Sequence, residues 1–269
     1  MTNNAAGFTG DIPQHYDEGL GPLLFVEYAD DIARRAAAYS PKRVLEIAAG
    51  TGIVTRRLYE LLPQAEILAT DLNLPMLQWA AKKFKPTDGR VAFRPADATA
   101  LPFADNMCEA IVCQFGVMFY PDKEKSYREA YRVLAPGGHY IFNVWDSHRH
   151  NPFGRIGYEI PATFFPADPP QFYNVPFGYH AIDPIKESLL AAGFSDLKIA
   201  VVKKERKLTD AAARARGMIL GNPIVDQIKA RGGVDPDAVV AAAKTALERE
   251  FATKPIPLQA IVFDARKPG

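Results

Sequence analysis

The feature that most constrains the fold is an alternation of short apolar runs with amphipathic stretches from Val44 to about Asp146. The runs have the length and composition of buried strands, and the stretches between them have the periodicity of helices. Strands joined by such helices pair in parallel through right-handed crossovers. We therefore predict a doubly wound α/β sheet with strands at 43–48, 65–71, 91–97, 109–115 and after Pro136, followed by strands at 197–204 and 258–267.

Composition narrows the class of protein. The 269 residues are 48% hydrophobic, enough for one large α/β domain with insertions, and the net charge of +1 gives no support to nucleic-acid binding. No apolar run reaches the ~18 residues of a membrane span, and the start lacks the pattern of a secretory signal, so we expect a cytoplasmic protein. We expect Cys108 and Cys113 to be reduced core thiols, and we predict no metal site.

Segments outside the alternating region differ in character. Residues 147–181 contain six prolines and eight aromatic residues, a density that favours an ordered, buried surface over a loose linker. We predict a helical cover at 1–42, including a helix from Pro22 to Tyr39 with Pro22 in its first turn. The core is predicted at 43–146 with 183–205 and 258–269. The insertions at 147–182 and 206–257 are predicted to form a lid at the carboxyl edge of the sheet.

A glycine loop follows the first strand in the stretch VLEIAAGTG, residues 44–52. The pattern Gly50-x-Gly52-x-x-Thr55 resembles a dinucleotide fingerprint whose third glycine is replaced. Asp71 ends the second strand, where a carboxylate accepts hydrogen bonds from a ribose diol. These features predict a ribose-bearing ligand, and they leave open whether it is a nicotinamide cofactor or S-adenosylmethionine.

Further features favour S-adenosylmethionine. Glu46 lies inside the first strand, where a carboxylate would repel a pyrophosphate but can accept loop N–H groups or favour a cationic ligand. Asp97 and Ala98 follow the third strand in ADATALPF, where an acid can accept a hydrogen bond from an adenine amino group. The fourth strand ends at Gln114 and Phe115, and a Pro-Gly-Gly turn leads into the fifth.

At these motifs the chain resembles the class I S-adenosylmethionine-dependent methyltransferases, within the small-molecule branch that includes quinone-biosynthesis C-methyltransferases. VLEIAAGTG, TDLN, ADATALPF, CQFGVMFYPD and VLAPGGHYIFNVW occur in the family's order and spacing, and the match covers about Tyr16 to Trp145. The resemblance implies a Rossmann-like seven-stranded sheet of order 3-2-1-4-5-7-6 with the last strand antiparallel. It also implies S-adenosyl-L-methionine as methyl donor, S-adenosyl-L-homocysteine as product and a small-molecule acceptor.

The resemblance also implies roles for individual residues. Ala48, Gly50 and Gly52 would face the methionine moiety, and Glu46 would order their loop. Asp71 would bind the ribose hydroxyls, with Leu72 against the adenine ring. Asp97 and the Ala98 N–H would lie at the adenine amino edge. The Gln114 carbonyl would accept from the ligand's ammonium group, and Tyr16 could close over the methionine end.

Ala48 departs from the family pattern, which usually has glycine at that position. A methyl group is tolerated there if φ is negative, because alanine is unstrained in that region and loses less entropy on folding than glycine. We therefore treat Ala48 as a minor departure on the strand side of the turn.

Candidates for the acceptor site are less specific. His180 is a candidate base, and the candidate substrate contacts are Phe115, Met118, Phe119, Trp145 and Tyr179, although each of these aromatic or apolar residues could equally belong to the core. An aromatic lid without a basic cluster suits a flat, mostly apolar acceptor. Two alternatives stay open, a nicotinamide-dependent oxidoreductase and a non-catalytic S-adenosylmethionine-binding regulator. The sequence does not predict an oligomeric state.

Overall fold

The computed structural model describes residues 6–85 and 87–269, and its strands form one seven-stranded sheet. The strands are β1 Arg43–Ile47, β2 Glu66–Asp71, β3 Val91–Pro95, β4 Cys108–Gln114, β5 Leu134–Trp145, β6 Ser195–Arg206 and β7 Ile256–Arg266. Their order is β3-β2-β1-β4-β5-β7-β6, which confirms the predicted topology. The pairings among β1 to β5 are parallel. Strand β7 runs antiparallel, as expected.

Helices follow or precede the strands as the alternation predicted. The α-helices are α1 Ile12–His15, α2 Val26–Ala37, α3 Ile53–Leu61, α4 Leu74–Ala81, α5 Lys123–Val133, α6 Pro152–Phe164, α7 Asn174–Gly178, α8 Ile182–Ala191, α9 Ala211–Leu220, α10 Ile224–Arg231 and α11 Pro236–Phe251. A π-helix spans Tyr16–Phe25, and a short 3-10 helix spans Val117–Phe119. Among the described residues, none of the helices is long and apolar enough to cross a membrane.

The chain divides into two compact units. Unit 1 contains Met1–Phe25, Trp145–His180 and Val202–Ala260, and unit 2 contains Val26–Val144, Ala181–Val201 and Ile261–Gly269. The predicted cover, residues 1–42, is divided between them, and its first five residues lie outside the described part of the chain. The assignment of the insertions as a lid stays a prediction.

Unit 2 contains strand β1 between β2 and β4, and this position explains its composition. Val44, Leu45 and Ile47 are at most 3% exposed, and such full burial of an aliphatic side chain contributes about 1.5–3 kcal/mol each. Because helices cover both faces of a parallel sheet, its central strands are apolar throughout instead of alternating. Glu46 is the exception in this run, and it is 1% exposed.

Unit 1 contains an aromatic cluster packed directly onto the backbone of α6. A Cβ atom added to Gly154 would lie 2.2 Å from the ring of Phe177, and one added to Gly157 would lie 2.6 Å from the ring of Tyr173. The two glycines are one helical turn apart, so they leave room for two neighbouring rings on one face. The aromatic density of residues 147–181 therefore produces ordered packing, as the sequence indicated.

The predicted helix from Pro22 to Tyr39 is wrong at its beginning. Pro22 lies inside the π-helix, and α2 begins only at Val26. Proline has no N–H group and leaves a helical carbonyl without its usual donor. The guanidinium of Arg214 supplies donors instead, to the carbonyl groups of Glu18 and Gly19 within unit 1.

The conformation of Ala48 also differs from the expectation. Its φ is +54°, in the left-handed region, and not negative. An L-residue in that region places its Cβ close to a backbone oxygen and costs roughly 1–2 kcal/mol. The chain therefore carries strain at a position where the resembled family has glycine, and Ala48 is more than a minor departure.

We predict that Ala48→Gly raises the free energy of unfolding by about 0.5–1 kcal/mol, because it relieves the positive φ at the cost of one half-buried methyl group. Urea denaturation of the purified variant checks this. The matched control is Ala49→Gly, one residue along the chain. Ala49 is 8% exposed and packs with Ala69 and Leu77, so its replacement should lower stability. A loss of stability in Ala48→Gly equal to that of the control would contradict the strain argument.

Candidate functional site

The loop between β1 and α3 depends on two glycines with positive φ, Gly50 at +55° and Gly52 at +79°. A Cβ atom on Gly52 would lie 2.9 Å from Cβ of Ala80, so the loop also packs closely on α4. Gly52 is the N-cap of α3 and offers no side-chain acceptor. The first-turn N–H groups of α3 therefore lack a side-chain cap, which is a common arrangement where a helix end meets a polar ligand.

The Asp71 carboxylate at the end of β2 holds this loop in place. Its Oδ2 accepts from the Gly50 N–H at 2.9 Å, and its Oδ1 accepts from the Asn73 N–H at 2.8 Å. Asp71 is 6% exposed, and burial raises its pKa against the opposing effect of these hydrogen bonds. The side chain thus joins the ends of β1 and β2 before any ligand is considered.

Asp97 and Ala98 form a turn after β3. Oδ1 of Asp97 accepts from both the N–H and the hydroxyl of Thr99, each at 2.8 Å. The Asp97 side chain is exposed and Ala98 is 7% exposed. The carboxylate therefore shapes the turn through Oδ1, and its role towards a ligand stays a prediction.

The end of β4 is fixed by an asparagine that the sequence analysis did not single out. Asn143, on β5, pairs in register with Gln114 and is completely buried. Its Oδ1 accepts from the Phe115 N–H at 2.9 Å, where φ is +53°. Among the described residues, Nδ2 of Asn143 has no hydrogen-bond partner. The only signal in the sequence was a polar residue inside the apolar run YIFNVW.

Glu46 is buried without full hydrogen bonding. Burial, together with the negative charge of Asp71, raises the pKa of Glu46 from 4.5 to about 8. The nearby N–H and hydroxyl groups of Thr55 oppose this rise. Within the described ranges, neither Oε2 of Glu46 nor Oγ1 of Thr55 meets the geometry of a hydrogen bond. Unmet buried polar atoms cost about 1–3 kcal/mol each, so they are expected where a ligand completes the site.

Two further acidic groups lie near Glu46. The Cys113 thiol on β4 is buried, and its sulfur lies 3.3 Å from the Tyr120 hydroxyl. Burial raises the pKa of Cys113 to about 11, and Glu46 adds to the rise. Gly116 leaves room for this contact, since a Cβ there would lie 2.5 Å from Cβ of Ala48 and 2.7 Å from Sγ of Cys113. The loops after β1 and β4 are therefore in direct contact.

The other predicted site residues of unit 2 differ in exposure. Leu72 is 60% exposed, which is unusual for a leucine and leaves an apolar surface beside Asp71. Phe115 and Met118 are 5% and 2% exposed, as core residues are, and Phe119 is partly buried. Their roles as substrate contacts stay predictions.

Unit 1 contains four predicted site residues. Tyr16 stacks on Phe25 with ring centroids 4.8 Å apart, and Trp145 stacks on Phe177 at 5.9 Å. Nδ1 of His180 lies 3.0 Å from the Phe177 carbonyl, which can only accept, so Nδ1 carries the proton of that hydrogen bond. Tyr179 is partly buried. The roles of all four stay predictions.

Side chains that could bind a metal ion do not cluster in the described part of the chain. In the described part of the chain no group of three or more His, Cys, Asp or Glu side chains could hold a metal ion. Both cysteines are free and buried, as predicted.

Comparisons with known proteins show which family the central part of the chain resembles. Residues 44–138 match the family described as methyltransferase domain. The chain is 43% identical over 102 residues to the demethylmenaquinone methyltransferase of Thermus thermophilus, covering 38% of this chain and 46% of that relative. It is 39% identical over 100 residues to the ubiquinone/menaquinone biosynthesis C-methyltransferase UbiE of Yersinia pestis, covering 36% of this chain and 40% of that relative. The chain thus matches about half the length of these curated relatives, or less.

Solved structures resemble the whole fold. The phosphoethanolamine N-methyltransferase 2 of Haemonchus contortus, in complex with phosphomonomethylethanolamine and S-adenosylhomocysteine, superposes with a TM-score of 0.62 at 19% identity, covering 96% of this chain and 57% of that chain. The [4+2]-cyclase SpnF has a TM-score of 0.57 at 21% identity, covering 91% of this chain and 82% of that chain. At these identities the likeness shows the fold.

The order of the strands, the matched domain and the curated relatives agree with one another. S-adenosylmethionine is the cofactor of the matched class. Residues 44–138 therefore match a methyltransferase domain, and over about 100 residues the chain resembles the quinone-biosynthesis C-methyltransferases.

Proposed function

We propose that this protein transfers a methyl group from S-adenosylmethionine to a small, flat and largely apolar acceptor. The observation that carries the proposal is the group of polar side chains at the ends of β1, β2 and β4, where buried atoms of Glu46 and Thr55 lack partners. A ribose-bearing cation fits such a site because it offers hydroxyl donors and positive charge to carboxylates. The nicotinamide alternative is not favoured, since its pyrophosphate would meet Glu46.

Asp71 is suited to a ribose hydroxyl because its Oδ2 retains an acceptor site. Oδ2 takes the Gly50 N–H, while Oδ1 takes both the N–H and the side-chain amide of Asn73. A carboxylate has about four lone-pair sites, which leaves one on Oδ2 for a hydroxyl group. The exposed Leu72 beside it offers apolar surface to the adenine ring, and the second oxygen of Asp97 would accept from the adenine amino group.

The bound cofactor would supply a methyl group on a positively charged sulfur. The residues of the chain would align it: the backbone from Ala48 to Gly52 would follow the methionine moiety, and the Gln114 carbonyl would accept from its ammonium group. Methyl transfer is an in-line displacement, so its rate depends mainly on the orientation of the nucleophile and the exclusion of water.

The acceptor class is inferred from two observations. The curated relatives are named for demethylmenaquinone and ubiquinone/menaquinone biosynthesis, whose substrates are quinone-type rings. Unit 1 is rich in packed aromatic side chains, including Trp145, Phe177 and Tyr173, which suit a flat apolar ring. His180 is the proposed base, since its Nδ1–H is used by a carbonyl and its Nε2 would receive a proton from the acceptor.

The test of this function is incubation of the purified protein with methyl-labelled S-adenosylmethionine and a panel of quinols, phenols and amines. We expect label in a quinol or phenol product and S-adenosylhomocysteine in equal amount. Calorimetric titration with S-adenosylmethionine and with NAD⁺ accompanies it. Tight binding of NAD⁺ without binding of S-adenosylmethionine would overturn the proposal, and binding without label transfer to any acceptor class would favour the non-catalytic alternative.

We predict that Asp71→Ala weakens S-adenosylmethionine binding by about 1–3 kcal/mol, or roughly 5- to 150-fold, because charge-assisted hydrogen bonds to the ribose are lost. The measurement is the calorimetric Kd of the folded variant, with circular dichroism as a check of folding.

The matched control for this prediction is Glu66→Ala. Glu66 begins the same strand and is exposed, so its removal should leave the Kd unchanged. An unchanged Kd in Asp71→Ala would contradict the ribose assignment.

A further inference from the structure

Among the described residues, Glu46 lies in a buried environment where Asp71 is its charged neighbour and no cation pairs with it. It is 1% exposed, and Thr55, at the first turn of α3, is fully buried beside it. The unpartnered atoms Oε2 and Oγ1 belong to these two side chains. A buried carboxylate without a cation is expensive, and the usual response of a protein is to keep the group protonated.

The groups that face Glu46 from the neighbouring elements add no positive charge. They are Asp71 on β2, Thr55 on α3, the Cys113 thiol on β4 and, through that thiol, the Tyr120 phenol. Neither Glu46 nor Asp71 forms a salt bridge with any residue in the described ranges. The negative charge of Asp71 disfavours ionisation of Glu46, and the neutral thiol and hydroxyl groups supply no compensating charge, so the site favours either a bound proton or a bound cation.

We propose that the site exchanges a proton for the cationic end of S-adenosylmethionine: Glu46 is a carboxylic acid in the empty site and becomes a carboxylate when the sulfonium and ammonium charges arrive. The inference rests on the proposed cofactor function. The proton leaves Glu46 for solvent, and no covalent bond other than O–H is broken. The product, S-adenosylhomocysteine, would lack the sulfonium charge, so Glu46 would again favour a proton when the product occupies the site. The exchange would thus distinguish the cofactor from its product.

Titration calorimetry in two buffers of different ionisation enthalpy, such as phosphate and Tris, measures the protons released on binding. With a pKa of about 8 for the empty site, binding of S-adenosylmethionine at pH 7 should release about 0.9 proton per site. The Kd should also fall by about ninefold from pH 6 to pH 7 and by about fivefold from pH 7 to pH 8, as linkage requires for a group with a pKa of about 8.

Control ligands and control variants identify which charge of the ligand and which residue of the protein cause the proton release. Of the two positive charges, S-adenosylhomocysteine retains the ammonium and 5′-methylthioadenosine carries neither, so the latter should release no proton. We expect S-adenosylhomocysteine to release fewer protons than S-adenosylmethionine, and equal release by the two would overturn the claim that the exchange distinguishes them. Glu46→Gln, which keeps the shape and cannot ionise, should release none. The matched control Glu66→Gln, an exposed acid on β2, should behave as the unmodified protein.

Failure of the proposed function and failure of this inference would give different experimental results. Absence of S-adenosylmethionine binding would overturn the proposed function and this inference with it. Binding without proton release, or equal release by 5′-methylthioadenosine or by Glu46→Gln, would overturn this inference alone.

The empty protein provides an independent measurement. A raised pKa means that the folded state binds more protons than the unfolded state between about pH 4.5 and pH 8. The stability of the unliganded protein should therefore fall as pH rises through that window, by up to about tenfold in the folding equilibrium constant per pH unit. Glu46→Gln should lose that part of the dependence and become the more stable protein at pH 8. Superimposable stability profiles for the two proteins would overturn the inference even if the variant binds no ligand.

Discussion

The hydrogen bond from the Gly50 N–H to the Asp71 carboxylate is the interaction on which the candidate site depends. Parallel strands end at the same edge of a sheet, and the backbone beyond them must find new hydrogen-bond partners. Asp71 meets that need for two turns at once, because its other oxygen accepts from Asn73. The geometry of the candidate site is therefore a consequence of how β1 and β2 end.

Buried acids give this edge of the sheet its chemical character. Glu46, Asp71 and Cys113 all have raised pKa values, and burial is the largest cause for each of them. Such a set destabilises the folded protein unless protons or a cation balance it. The apolar, closely packed strands around these acids offset the energetic cost. The candidate site and the local instability thus arise from the same residues.

Much of this architecture could be predicted, because local patterns determine it. The strands, the helices between them and the sheet order followed from apolar periodicity, from the length of the connections and from a family resemblance. Asp71 and Glu46 could also be singled out as candidates, since an acid inside or at the end of a strand is conspicuous, and their roles stay predictions. The prediction for Pro22 was wrong at a helix whose carbonyl groups at Glu18 and Gly19 accept from Arg214, about two hundred residues further along the chain. Asn143 was missed because its partner is the backbone just beyond a different strand.

The sequence by itself determined the periodicity of the elements and the types of side chain available at each strand end, because these depend on neighbours along the chain. Only the tertiary structure decided the left-handed conformation of Ala48, the burial of Glu46 without a cation and the partners of Asn143. Each of these depends on which strand ends are brought together. Backbone strain, desolvation and hydrogen-bond satisfaction are properties of that assembled environment, and no pattern along a single segment specifies them.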